Sequence, residues 1–221
     1  MNSISNLNRA PVASGVLVQP RRQMRQLFFP AILVCLLLAK PGRLMAQDLL
    51  EANDAFDRGE FVTAMEVYED LAANGEAEAQ YRLGLMFEQG LGTDVDSRAA
   101  SNWYEQAAAQ QSPPALAALS QLYLTGRGVI QDFKESLRLN EQAAQQGYAP
   151  AQHSLGVAYA NGVGTFRDPI KAHMWFNLAS ANGYPAAVSS RQRLASSMAQ
   201  GEVLRAQDRA KQCMQKQYTN C

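Results

Sequence analysis

The sequence is poor in the residues that build metal centres and nucleophilic active sites. Its 221 residues include only two histidines and three cysteines. His153 and His173 have no cysteine cluster beside them, so structural or surface roles are predicted for both and no metal site is expected. The motifs Gly-x-Ser-x-Gly, His-Glu-x-x-His and Ser-x-x-Lys are also missing, which argues against the common serine hydrolase, zinc protease and penicillin-binding chemistries. We therefore predict no catalytic residue, no metal and no cofactor.

Acidic and basic residues balance at 20 each, but their distribution along the chain is uneven. Residues 1–46 contain six basic residues and no acidic one, which leaves a formal charge of −6 on the remaining 175 residues. Affinity for nucleic acid depends on lysine and arginine contacts to phosphates. Nucleic acid is therefore not an expected partner.

The first 46 residues have the layout of a secretory signal peptide. Basic residues precede an apolar run at Leu27–Ala39, which is too short to span a bilayer as a helix but suits an export signal. We predict cleavage after Ala46, which gives a periplasmic or secreted protein that starts at Gln47 and has no stable membrane insertion. Two questions stay open: whether an uncleaved signal anchors the protein instead, and whether translation starts at Met24.

The rest of the chain repeats with a period of 36 residues. The recurring positions are Ala79, Ala115, Ala151 and Ala187; Leu83, Leu119 and Leu155; Gly84, Ser120 and Gly156; Gly90, Gly126 and Gly162; Asp96, Asp132 and Asp168; Trp103, Leu139 and Trp175; and Ala107, Ala143 and Ala179. No insertion interrupts the three copies. A repeat of this length is a stronger signal than any single short motif.

Each copy is predicted to be a helical hairpin. Ala79, Leu83 and Phe87 follow helical spacing and mark one buried face. The Gly-x-Gly pair lets the first helix end with positive φ, and the following aspartate is placed to cap the second helix. A phosphate-binding loop is the poorer interpretation, because no third glycine and no preceding strand are present. One hairpin cannot bury its apolar face alone, so the hairpins are expected to stack.

These boundaries predict an all-α fold, a right-handed α/α superhelical solenoid of about five hairpins at 47–221. The repeats cover about 48–75, 76–111, 112–147 and 148–183, and a capping hairpin covers 184–217. The loop of the first unit is five residues shorter than the others. Four aromatic residues, Trp103, Tyr104, Trp175 and Phe176, resemble a ligand box, but their repeat positions indicate core packing.

The segment Ala151–Ala179 carries the pattern A-x-x-x-L-G-x-x-Y-x-x-G-x-G-V-x-x-D-x-x-K-A-x-x-W-x-x-x-A. This pattern resembles the Sel1-like repeat family of α/α solenoids, and the resemblance extends over about residues 48–217. The middle repeat departs from it at Ser120, Leu139 and Gln111, which stand where glycine, an aromatic residue and the closing glycine are usual. These departures suggest looser packing there, not a different fold.

The resemblance implies a protein-binding scaffold without chemistry of its own, in a family that includes many exported bacterial adaptors. Two alternatives stay open. One is an accessory role in assembling envelope polysaccharide or cell wall. The other is β-lactam binding or hydrolysis, which is associated with a cysteine-rich branch of the family; the repeats here contain no cysteine. The family has no shared binding residue to carry over.

A partner protein or peptide is expected on the surface of the first helices, which line the inner face of a curved solenoid. The residues that point there are Tyr81, Leu85 and Gln89; Ala117, Gln121 and Thr125; and His153, Val157 and Asn161. Binding at the ends or loops of the solenoid is the alternative. The oligomeric state is left open.

An exported compartment permits a disulfide between Cys213 and Cys221. If both cysteines were helical they would lie about 12 Å apart along the axis, beyond the roughly 7 Å limit on Cα separation. The last helix must therefore end near Lys216 for the bond to form.

Overall fold

The computed structural model describes residues 41–219 and 221, with side chains from residue 46 onward. The apolar run, Met24 and residues 1–40 in general lie outside the described residues. Over the described part the chain forms ten helices and no strand. The helices are α1 (Pro41–Asp57), α2 (Phe61–Ala73), α3 (Ala77–Gln89), α4 (Ser97–Ala109), α5 (Pro113–Thr125), α6 (Phe133–Gln145), α7 (Ala149–Asn161), α8 (Pro169–Ala181), α9 (Pro185–Ala195) and α10 (Gln200–Gln215).

From α1 to α8, consecutive helices pair as antiparallel hairpins and each hairpin packs on the next, so the fold is an all-α solenoid. In the three regular repeats the hairpins are α3 with α4, α5 with α6, and α7 with α8. One core of buried alanine, leucine and aromatic residues extends from α4 to α8 and includes part of α10, and a second core joins α1, α2 and α3. No helix in the described part is both long and apolar enough to cross a bilayer.

The turn within each regular hairpin follows the predicted chemistry. Gly90 ends α3 with φ of 72°, and Gly92 also has positive φ. The Asp96 carboxylate then accepts hydrogen bonds from the backbone N–H groups of Arg98 and Ala99, both at 2.9 Å. Asp132 caps α6 with two bonds of the same kind, and Asp168 caps α8 with one, from the Lys171 N–H. The glycine turns and aspartate caps predicted from the 36-residue spacing are confirmed.

The small residues of the first helices allow aromatic side chains to approach the backbone. A Cβ atom on Gly84 would lie 2.5 Å from the ring of Tyr104, and one on Gly156 would lie 2.5 Å from the ring of Phe176. Tyr104 and Phe176 are themselves buried. Glycine is needed at both positions because any side chain would collide with a ring that has no room to move.

The middle repeat replaces this glycine and aromatic pair with a hydrogen-bonded one. Asn140, at the register position of Tyr104 and Phe176, donates to the hydroxyl of Ser120 at 2.6 Å. Ser120 in turn donates to the carbonyl oxygen of Ser136 at 2.8 Å. The expectation of looser packing is therefore wrong at Ser120, because the smaller side chains are held together by buried hydrogen bonds.

At Leu139 the surface of the middle repeat has a groove. The groove, of about 300 Å³ and open to solvent, lies between α4, α5 and α6, and Leu139 lines it with Leu116, Leu119 and Tyr123. The neighbouring repeats have the larger Trp103 and Trp175 at this position. The leucine side chain is too small to occupy the volume that an indole takes.

A ladder of side-chain amides joins successive repeats at the ends of the second helices. Each amide donates to the carbonyl oxygen of the residue 35 positions earlier: Gln110 to Gly75 at 2.9 Å, Gln146 to Gln111 at 3.0 Å, and Asn182 to Gly147 at 3.3 Å. Buried glutamines extend the ladder, since Gln80 accepts from Gln110 and Gln152 accepts from Asn182. These bonds connect the turn that ends each repeat to the turn that ends the next one.

Replacing Gln111 with glycine is expected to stabilise the protein by about 1 kcal/mol. Gln111 has φ of 62°, and the equivalent residues Gly75, Gly147 and Gly183 all have positive φ. A residue with a Cβ pays about 1–2 kcal/mol in this region, whereas glycine does not. Urea denaturation measures the change. The control is Gln106→Gly at an exposed interior position of α4, which should lose about 1 kcal/mol. A loss of stability in Gln111→Gly would contradict the explanation.

Both ends of the solenoid depart from the repeat. Only residues 58–60 connect α1 to α2, whereas residues 90–96 connect α3 to α4. At the other end, α9 and α10 were predicted to form a capping hairpin over 184–217. Both helices instead pack chiefly on α8.

The C-terminal residues fold back beside α8. Helix α10 ends at Gln215, and Gln217 and Tyr218 adopt positive φ. Cys213 and Cys221 form a disulfide with their Cα atoms 5.2 Å apart. The Tyr218 hydroxyl donates to the side chain of Asn182 at 2.9 Å. The turn places this tyrosine at the last rung of the amide ladder.

Candidate protein-binding surface

The nine predicted contact residues lie on α3, α5 and α7, but they differ in accessibility. Five are exposed: Gln89, Gln121, Thr125, Val157 and Asn161. Four are half-buried: Tyr81, Leu85, Ala117 and His153. We call the surface formed by α3, α5, α7 and α9 the first-helix surface. The exposed five are the members available to a partner without rearrangement.

Tyr81 and His153 support the helices as well as facing this surface. The ring of Tyr81 lies 5.9 Å from that of Tyr104. The imidazole of His153 lies 5.3 Å from the ring of Phe176 and 5.0 Å from that of Tyr184, and it forms a hydrogen bond with Ser190 at 3.0 Å. Burial lowers the pKa of His153, so its neutral form is favoured in the fold.

The sequence analysis missed two tyrosines on this surface. Tyr148 and Tyr184 immediately precede α7 and α9, 36 residues apart. Burial raises the pKa of Tyr148, and the neighbouring Tyr81, Tyr184 and Glu78 raise it further. The 36-residue spacing of Tyr148 and Tyr184 was the signal that could have found them.

A pocket of about 350 Å³ opens between α7 and α9. Val157, Ala160, Phe176 and Leu194 supply its apolar lining. Its polar lining consists of Asn161, Arg167, Ser190, Arg193 and Ser197. Val157 and Asn161 were both predicted contact residues. Of the predicted residues, the structure brings only these two into the pocket.

Arg193 and Ser197 continue the predicted rows by one more repeat. Arg193 follows Leu85, Gln121 and Val157 at 36-residue intervals, and Ser197 follows Asn161 by the same interval. Sequence reasoning stopped at α7 because the family pattern weakens after Ala187. The register itself continues through α9, and it would have identified both residues.

Arg167 and Arg193 are exposed at the pocket. Within the described part of the chain, all salt bridges use Arg58, Arg82, Arg127 or Arg138, and none involves the pocket arginines. Asp168 is adjacent to Arg167 in sequence, but its carboxylate caps α8 by accepting from the Lys171 N–H at 2.9 Å. The pocket thus combines an apolar floor with two arginines that have no carboxylate partner among the described residues.

The second histidine, His173, is buried and does not line the pocket. His173 is buried in α8, and its ring lies 3.1 Å from the amide of Asn177. Arg191 donates to the same asparagine side chain at 2.9 Å. Burial and, secondarily, Arg191 lower the pKa of His173. This histidine belongs to the packing between α8 and α9.

The repeat identifies the family once it is compared with known proteins. The model of the Sel1 repeat matches residues 77–112, 113–148 and 149–184, which are the three hairpins from α3 to α8. The chain is a Sel1 repeat protein. Among curated proteins, none matches the chain.

Two crystal structures show the same fold. A Sel1 repeat protein from Oxalobacter formigenes is 25% identical to this chain, with a TM-score of 0.63 over 70% of this chain and 62% of that one. A protective antigen of uropathogenic Escherichia coli strains, which displays an SLR fold, is 22% identical, with a TM-score of 0.53 over 71% of this chain and 42% of that one. The alignments thus cover less than two thirds of either relative.

Sel1 repeat proteins generally mediate protein–protein interactions, and their fold is typically a non-catalytic scaffold. A solenoid suits this role because stacked helices offer an extended surface without any catalytic group. The pocket between α7 and α9 lies on the first-helix surface of this Sel1 repeat protein.

Proposed function

We propose that this protein is a non-enzymatic adaptor of the bacterial cell envelope that binds a partner protein or peptide along the first-helix surface. The observation that carries the proposal is the pocket between α7 and α9, which lies beside exposed Val157 and Asn161. A groove between adjacent helices receives an extended segment without requiring the scaffold to unfold. No reaction is proposed. Ser190 and His153 form a hydroxyl–imidazole pair at 3.0 Å, but the imidazole is packed against the rings of Phe176 and Tyr184, and within the described residues no carboxylate orients it as a base.

Cross-linking with mass spectrometry in the native envelope tests this proposal. Peptides of α5, α7 and α9 should be joined to one recurrent protein. Variants then test the surface with the purified pair: Gln121→Glu with Val157→Glu should weaken binding at least ten-fold, about 1.4 kcal/mol. The matched control is Gln106→Glu in α4, an exposed position away from the first helices, which should leave the affinity unchanged. Equal loss in both would contradict the proposed surface.

The double variant Tyr81→Ala and His153→Ala provides a second test but needs a stability measurement beside it. Both side chains are half-buried against aromatic rings, so their removal affects packing as well as contact. If the double variant stays folded and binds every captured partner at wild-type affinity, the Tyr81 and His153 part of the surface is not used.

The envelope location is part of the same proposal. It is supported by the signal-like layout of residues 1–46 and by the disulfide, because such bonds persist in oxidising compartments. Cleavage after Ala46 would fall within α1 and leave its buried residues Ala52 and Ala55 in place. N-terminal sequencing of the fractionated protein should read from Gln47. A product that still contains Arg25 or Lys40 would contradict cleavage.

The disulfide gives a separate prediction. Protein purified without reductant should have an intact mass lower than the reduced chain by two hydrogen atoms. Reduction should also lower the thermal midpoint, because it frees the turn that holds Tyr218 against Asn182 and removes a constraint on the unfolded chain. A mass equal to that of the fully reduced chain would contradict the bond.

A further inference from the structure

Charge is strongly segregated along the solenoid. Residues 47–161 contain six basic and 17 acidic residues, a formal charge of −11, whereas residues 162–221 contain eight basic and three acidic residues, a formal charge of +5. The value of −6 for the whole region conceals this division. A partner therefore meets an acidic surface over the first three hairpins and a basic one at the end of the stack.

The segregation leaves the C-terminal arginines without a salt-bridge partner among the described residues. Every salt bridge in the described residues lies between positions 54 and 138. Arg191 donates to Asn177 instead of a carboxylate. An arginine that keeps its fork of donors free at the rim of a pocket is suited to a carboxylate from outside the chain.

The pocket between α7 and α9 places such arginines beside an apolar floor. Arg167 and Arg193 line it and no acidic residue does. Exposed Val157 and half-buried Leu194 supply its accessible apolar surface, and Phe176 is buried behind them. A groove at the other end, between α1 and α2, has the opposite character, because Asp48, Glu51, Glu66 and Asp70 line it. An acidic ligand is therefore attracted to one end of the stack and repelled from the other.

From this arrangement we infer that the pocket binds an acidic segment of a partner polypeptide, in which aspartate or glutamate side chains flank one leucine- or phenylalanine-sized side chain. The apolar side chain enters between Val157 and Leu194, and the carboxylates pair with Arg167 and Arg193. The side-chain amide of exposed Asn161 in the lining is available to the peptide backbone. The inference rests on the proposed function and specifies the partner's chemistry at one part of the first-helix surface.

Three fluorescein-labelled peptides of ten residues test the inference by fluorescence anisotropy. All contain a central Leu-Phe pair, and their flanks are glutamate, glutamine or lysine. The glutamate peptide should bind at least ten-fold more tightly than the glutamine peptide, and its affinity should fall as sodium chloride rises from 25 to 250 mM, where exposed charges are screened. The lysine peptide should bind weakest. Equal affinity for the glutamate and glutamine peptides, or no binding of the glutamate peptide, would overturn the inference.

Variants of the exposed arginines locate the site. Arg167→Gln with Arg193→Gln should weaken the glutamate peptide about ten-fold, which corresponds to about 1.4 kcal/mol. The matched control, Arg205→Gln with Arg209→Gln in α10, removes the same charge from exposed positions outside the pocket and should change the affinity less than two-fold. An equal loss in the control would show general attraction to the basic end and overturn the assigned site.

Charge reversal keeps the test decisive if the double glutamine variant is unstable. Arg193→Glu alone should weaken the glutamate peptide and strengthen the lysine peptide. Failure of this exchange overturns the inferred carboxylate pairing. It leaves the proposed function standing if the envelope cross-links to α5 and α7 persist, so the two failures are distinguishable.

Discussion

Replacing Trp175 with alanine is expected to lower the free energy of unfolding by about 3–5 kcal/mol. Trp175 is only 5% exposed and belongs to the core that extends from α4 to α8. Its indole nitrogen is buried without a hydrogen-bond partner, so the loss comes from packing and the cavity left behind. Because stacked repeats interact only with neighbours, the C-terminal half should melt before the rest.

Thermal and urea denaturation measure this effect, with Trp103→Ala as the matched control. Trp103 holds the same repeat position but is only half-buried, so its removal should cost less. An unchanged midpoint in Trp175→Ala would show that the tryptophan does not contribute to the core.

The second large effect is expected from a single added methyl group. Gly156→Ala should destabilise the protein by about 2–3 kcal/mol, because the new Cβ would lie 2.5 Å from the ring of Phe176 in a core that cannot yield. Gly201→Ala is the control: this glycine lies in α10 with nothing within 4 Å of the added Cβ, and alanine is the better helix former. Denaturation of both variants gives the comparison.

The middle repeat supplies a compensating change for this clash. Gly156→Ser with Phe176→Asn reproduces the pair that Ser120 and Asn140 form naturally at 2.6 Å. The double variant should be more stable than the sum of the two single losses by about 1 kcal/mol or more, since contacting residues couple. Strict additivity would contradict the view that these two positions act as a pair.

The features predicted from the sequence are those that depend on local conformation. The Gly90 turn and the Asp96 cap need only the backbone preferences of a few neighbouring residues, so their spacing fixed the hairpins. The hydrogen bonds among Ser120, Ser136 and Asn140 depend on side chains from two packed helices. The period of the sequence cannot supply those distances. Ser120 in place of glycine was therefore misread as a sign of loose packing.

On the binding surface too, features set by local helical register were predictable, and features set by packing between helices were not. Helical register placed Val157 and Asn161 on the first-helix surface, and they line the pocket. It could not show that Tyr81 and His153 are half-buried by Tyr104 and Phe176, because that depends on how far the hairpins approach. Helix α10 packs on α8, and no repeat residue marks that contact, since α10 lies outside the regular period.

The uneven charge was available in the sequence but concealed by averaging. A single net charge for residues 47–221 sums an acidic segment, 47–161, and a basic segment, 162–221. The structure shows that two of the basic residues, Arg167 and Arg193, line the pocket between α7 and α9. The positive charge is therefore placed at a candidate binding site. Net charge alone addresses solubility and general attraction, whereas its placement addresses a particular partner.

The most direct test of the central claim is a photo-cross-linking map of the intact protein in its native envelope. A photoreactive phenylalanine analogue would be placed singly at exposed Gln121, Val157 and Asn161, and at Gln106 and Gln145 as outer controls. The account predicts adducts to one recurrent partner from the first three positions and none from the controls. Adducts from the control positions alone would contradict binding along the first-helix surface.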